Sequence, residues 1–297
     1  MSGARVVIVL GGDPPARSEA IAELLLASGG TALILTADPG AVDPRLDTSE
    51  DGPVEVRLDD HTARLEAYRS GAAEPEDDVL AALAAGGDSP LAAVLGWEYA
   101  RRAAGAGAWD TVVVELDGEL AAVRRIAAAG ELVAFVESRW PVHVRFASMA
   151  AGERADPRVR EAHRLSLLTA DVARFLTSSV EVVAVGSGAD RNAELAALAR
   201  GVVRPTVAAD GRGGYLVECR VPVPARPIGP PVVVADGLRV EHDGFRVVLP
   251  LPALLSRCVL AESDFDADAG RVTATFIPDP DLWPPNLVPA GSESSTG

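Results

Sequence analysis

Apolar positions follow two rhythms along this chain. Up to about residue 208, short uninterrupted apolar runs alternate with longer Ala/Leu/Arg segments whose apolar positions recur every three or four residues. Residues 6–10 are all Val, Ile or Leu, as in a strand covered on both faces. Residues 16–27 place Ile21, Leu24, Leu25 and Ala27 at helical spacing. A second buried strand is predicted over 31–36, closing on Asp38-Pro39, and a short third over 54–58, followed by a helix over 59–69. Residues 76–104 read as two helices broken at the Gly86-Gly87-Asp88-Ser89-Pro90 turn. A strand over 109–115 leads into a helix through Arg124 and Arg125, and 157–176, 180–185 and 191–200 read as helix, strand and helix. Between 131 and 146 the periods conflict: Leu132, Val136, Arg139 and Trp140 suit a helix, whereas the Val/Phe content suits strands. Strands alternating with helices predict an α/β domain with a mainly parallel sheet and helices on both faces.

Beyond residue 208 the helical period disappears. Short runs at 214–221, 231–234, 238–241, 245–249 and 271–277 are separated by Gly, Pro and Asp, and His242-Asp243-Gly244 carries an Asp-Gly hairpin signal. The expected organisation is an α/β domain over 1–208, a small all-β sandwich over 209–280, and a Pro/Ser-rich tail over 281–297.

Composition changes this picture in one respect. All 27 basic residues are arginine, so chemistry that needs a lysine ammonium or a Schiff base is excluded. The formal net charge of -16 argues against nucleic acid or anionic lipid as the main partner. Cys219 and Cys258 form no CxxC pair and point to a reducing compartment. With no run long enough for a membrane helix and no signal-type start, a cytoplasmic location is expected. His61, His143, His163 and His242 are scattered, with no ligand spacing, so no metal site is expected.

The order of motifs resembles one family. The strand, the Gly11-Gly12 loop, the helix, and a strand ending in Thr36-Ala37-Asp38-Pro39 look like the opening of the ArsA/Get-type ATPases, the arsenite-pump and tail-anchored-protein-targeting branch of the P-loop enzymes. Val54-Glu55-Val56 before Tyr68-Arg69 is similar to a later family segment. Asp110 to Glu115, followed by Val123-Arg124-Arg125-Ile126, looks like the switch II strand and its helix. Arg139-Trp140-Pro141-Val142-His143 resembles the end of a helix in bacterial members, which favours helix where the period was undecided. Residues 213–222 and 246–257 resemble a small-heat-shock-type β-domain. The likeness spans nearly the whole chain, and it implies a P-loop NTPase-like sheet, ATP with magnesium as cofactor, and dimers that sandwich nucleotide.

Departures from the family pattern decide the functional expectation. Where the family carries Gly-Lys-Gly-Gly-Val-Gly-Lys-Thr-Thr, this chain has Gly11, Gly12, Asp13, Pro14, Pro15, Ala16, Arg17 and Ser18. Asp13 brings negative charge to a phosphate site, the prolines remove two amide donors, and Arg17-Ser18 is a remnant at most. Asp38 and Glu115 survive at strand ends without the rest of the catalytic segments. The expected site is therefore a degenerate one made of Gly11, Gly12, Asp13, Arg17, Ser18, Asp38 and Glu115, with no catalytic residue and no cofactor. The leading expectation is a pseudo-ATPase, a regulatory or structural subunit paired with an ATPase-competent ArsA-like paralogue or with itself. One alternative is an ATP-independent client- or lipid-binding module, and a second is a nucleotide-binding ATPase with a non-standard loop.

Overall fold

The structure is a computed structural model that describes residues 3–60, 63, 65, 66, 68, 89–118, 120–150, 152, 156–221, 231–234, 237–242, 245–266 and 269–282. It divides into two compact units, Met1–Ala196 and Ala197–Gly297.

In the first unit five strands form one sheet in the order β3-β2-β4-β1-β5, with every pairing parallel. The strands are β1 (Arg5–Gly11), β2 (Ala32–Thr36), β3 (Val54–Leu58), β4 (Thr111–Asp117) and β5 (Val180–Ala184). Val6 to Leu10 are buried throughout, which is why this run carries no polar alternation. The α-helices described from end to end are α1 (Pro14–Ser28), α2 (Pro90–Gly105), α3 (Leu120–Arg139), α4 (Val142–Ala150), α5 (Pro157–Ser178) and α6 (Ala189–Ala199), which runs across the boundary between the units. The architecture is α/β, as the alternation of strand and helix predicted. Of the helix expected over 59–69, residues 63, 65, 66 and 68 are described and are helical, whereas the first of the two helices expected over 76–104 lies outside the described residues.

Local chemistry sets the helix ends. Ser89 accepts a bond from the Ala92 amide at 3.0 Å and Asp156 one from the Arg158 amide at 2.9 Å, each followed by proline at the first helical position. Gly29, at φ +62°, ends α1 by donating its amide to Leu25 O at 3.0 Å. The ambiguous stretch 131–146 is helical, but it is two helices. Pro141 cannot continue α3, and its carbonyl instead receives the Arg145 amide at 3.2 Å in the first turn of α4.

Topology fixes where a site can lie. From β1 the chain crosses in one direction to β2, and from β3 it returns in the other direction to β4. Right-handed crossovers then put α1 and α2 on opposite faces of the sheet. Val7 and Val9 of β1, Ala32 and Ile34 of β2, and Val113 of β4 form one core with Ile21, Ala22 and Leu25, so this is the face of α1. Continuing each strand by its period of two brings Gly11, Thr36, Glu115 and Asp117 to the same face at the carboxyl ends of the strands. Connections leave the adjacent strands β1 and β4 toward opposite faces, and a crevice opens at such a point.

The second unit holds two separate antiparallel sheets, β11-β12-β7-β6 and β10-β9-β8. Their strands are β6 (Thr206–Ala209), β7 (Tyr215–Arg220), β8 (Val232–Val234), β9 (Gly237–His242), β10 (Phe245–Pro250), β11 (Cys258–Asp266) and β12 (Arg271–Pro278). Val217 opposite Ala274 and Cys219 opposite Val272 supply the buried side of the larger sheet. β9 and β10 pair with His242 opposite Phe245, although the expected Asp243-Gly244 turn lies outside the described residues.

Candidate functional site

The strand-end crevice of the parallel sheet is occupied by a side chain of the protein itself. Only Gly12 and Asp13 separate β1 from α1. Gly11 is required where β1 ends, because a Cβ there would stand 2.6 Å from the Val185 carbonyl oxygen. Pro14 and Pro15 open the helix with no amide hydrogens, and the Arg17 amide is already bonded to Asp13 O at 3.1 Å. The N-terminus of α1 is therefore poor in the donors that bind anions at helix starts.

Arg17 lies one turn into α1 and is 3% exposed. Its Nε donates to Glu115 Oε1 at 2.9 Å, Nη1 to the Gly11 carbonyl at 2.5 Å, and Nη2 meets Asp117 Oδ1 at 3.0 Å. The guanidinium thus spans the gap between β1 and β4. Glu115, 6% exposed, receives a second bond at Oε2 from the Thr36 hydroxyl. That hydroxyl also accepts the Asp38 amide at 3.1 Å. Asp38 turns its carboxylate away, onto the Gly40 amide at 2.9 Å, and caps a short 3-10 turn over Pro39–Ala41.

Of the seven residues singled out from the sequence, Arg17 is bonded directly to both Gly11 and Glu115, and Asp38 joins through Thr36. Gly12 and Asp13 are exposed at the lip, and the Asp13 carboxylate makes no capping bond. Ser18 is half-buried one position further round α1 and makes no hydrogen bond to this cluster. Thr36 and Asp117 were not among the seven. Parity was their signal: each ends its strand on the α1 face, and Asp117 stands in register with Gly11.

Chemically the cluster is a closed electrostatic unit. The carboxylates of Glu115 and Asp117 meet the one guanidinium, so this cluster carries no spare positive charge. The cation that could neutralise a polyphosphate is committed to protein acceptors in a planar fork. The remaining nucleophile candidates are remote in character: burial pushes the Cys219 thiol up to about 11, which suppresses its thiolate. No group of His, Cys, Asp and Glu among the described residues is arranged to hold a metal ion. No helix among them is long and apolar enough to cross a membrane.

The fold and crevice define the class, an α/β protein with a five-stranded parallel sheet whose strand-end crevice is filled by Arg17. The chain matches no protein-family model and no curated protein.

Proposed function

We propose that this protein is an ATPase-like scaffold that has relinquished polyphosphate chemistry and acts as a regulatory or structural subunit beside an ATPase-competent, ArsA-like partner. The observation that carries this reading is the buried Arg17, bonded to Glu115, Asp117 and the Gly11 carbonyl where a phosphate chain would have to lie. An entering triphosphate would need to break a buried ion pair and meet the carboxylates of Asp13 and Asp117 without any lysine to compensate. Isothermal titration of the full chain with magnesium-ATP tests the loss of nucleotide binding: no heat of binding is the expected result, and micromolar affinity or turnover by the pure chain overturns it. Co-expression with an ATPase-competent relative tests the subunit role, with a stable mixed dimer expected. Failure of both to associate while the chain stays monomeric would sink that half of the proposal.

A second reading has its own support in the other unit. β8 is an edge strand with Val232 and Val233 exposed, the arrangement that accepts an extended segment by strand addition. Suppression of a denatured client's aggregation by the full chain, lost on Val233→Lys, would favour an ATP-independent binding module.

A further inference from the structure

Helix α4 is built inside out. A surface helix ordinarily turns its apolar stripe to the core and its polar residues to water. In α4 the inward residue is Arg145, while Val142, Phe146 and Met149, spaced i, i+4, i+7, face outward. Phe146 is 64% exposed, and its ring stands 6.2 Å from that of His163 on α5. One turn further along α5, Leu167 is 57% exposed. Single exposed apolar residues are ordinary, but a row at helical spacing that continues onto a neighbouring helix is a contact surface. The inward side of α4 is also imperfectly satisfied, since Arg145 Nε and Ser148 Oγ are buried without hydrogen-bond partners.

Charge narrows the occupant. Described residues between 139 and 167 include five arginines against Asp156 and Glu161, in a chain whose formal net charge is -16. Arg139, Arg158 and Arg160 are exposed and form no ion pair among the described residues. Arg160 lies one turn before His163 on the same ridge of α5, and Arg139 immediately precedes the α3–α4 corner. Two copies of this face would oppose like charge, and the acidic remainder of the chain repels an anionic bilayer. A helix carrying its own apolar stripe between rows of carboxylates meets both features at once. We propose that α4 and α5 dock an acidic amphipathic helix of a partner protein, with Phe146, Met149 and Leu167 receiving its apolar stripe and Arg139 and Arg160 its carboxylates.

The test uses the full chain and a fluorescein-labelled synthetic helix with Leu on one stripe and Glu and Gln elsewhere, read by fluorescence anisotropy. A second helix keeps the Leu stripe and replaces each Glu by Arg. The acidic helix should bind at least about tenfold more tightly than the basic one, and its affinity should fall with salt. Phe146→Ser combined with Met149→Ser should weaken it by about tenfold or more. Arg139→Ala with Arg160→Ala should flatten the salt dependence, whereas Leu282→Ser, at an exposed apolar residue of the second unit, should change nothing. Equal binding of the two helices overturns the proposal and needs no variant at all. So does binding indifferent to the Phe146/Met149 change, self-association that this change abolishes, or Phe146-dependent binding to phosphatidylcholine/phosphatidylserine vesicles. No nucleotide enters the experiment, so its failure leaves the reading of the strand-end crevice standing.

Discussion

Arg17 and Arg145 are withdrawn from water to the same degree, 3% and 4% exposed, yet their surroundings treat the guanidinium differently. Around Arg17 every nitrogen has an acceptor, and the acceptors stand on two strands, with Glu115 98 positions away in sequence. Around Arg145 the partners are local, the Trp140 carbonyl and Glu137, and Nε is left bare. The first arrangement is a lock across the sheet, held by backbone that cannot move independently. The second is a clasp that pins the corner between α3 and α4. Burying a guanidinium stabilises a fold only where rigid acceptors match its fork, because an unmatched nitrogen keeps its desolvation cost.

Stability measurements should separate the two. Glu115→Ala leaves the guanidinium of Arg17 buried with its main partner gone, and urea unfolding should show a loss of about 3–5 kcal/mol. The double change Arg17→Met with Glu115→Leu should recover much of that loss, since a packed apolar pair replaces a buried ion pair; a double variant as unstable as the sum of its singles would refute the lock. Arg145→Met should cost less, about 1 kcal/mol, because it also removes an unsatisfied nitrogen; a loss equal to that of Glu115→Ala would erase the distinction between lock and clasp. The helix starts contribute no more than that. Asp156→Ala removes a capping bond and should cost about 1 kcal/mol, whereas Asp13→Ala, which has no such bond to lose, should cost only a few tenths.

The mildest contrast is in pH dependence. Glu98 on α2 is another local clasp, bonded to Arg101 and Arg102 three and four residues on. Burial pushes its carboxyl up, but the two arginine hydrogen bonds outweigh burial and hold it below the ordinary value. The folded chain therefore binds fewer protons at Glu98 than the unfolded chain across that window. Its contribution is complete above the unfolded carboxylate value, about 4.3, and is lost as pH falls through the lower folded value. Glu98→Gln should flatten this acid limb of the stability curve, and an unchanged limb would rule the clasp out as its source.

The sheet was legible where burial is uniform. Val6 to Leu10 and Val112 to Val114 announce their strands because both faces are covered, and Ser89-Pro90 and Asp156-Pro157 announce helix starts through capping chemistry. β11 was not anticipated. Its second half, Glu262-Ser263-Asp264-Phe265-Asp266, is mostly polar, and a register shift between Leu260 and Glu262 breaks the alternation that would have revealed it. Arg17, Asp38 and Glu115 could be picked out as strand-end candidates, but not the bonds among them. Those depend on β4 lying between β1 and β2, a strand order that no local pattern encodes.

Pro14 and Pro15 limit what the turn after β1 can become. Exchanging Arg17 for lysine would not make an anion cradle, because the turn from β1 would remain two residues long and the start of α1 would still lack two amide hydrogens. Lengthening the turn alone would leave the guanidinium clamped between Gly11 and Glu115. Each of these changes is without effect until the others are made, so no single substitution turns the end of β1 into an anion site.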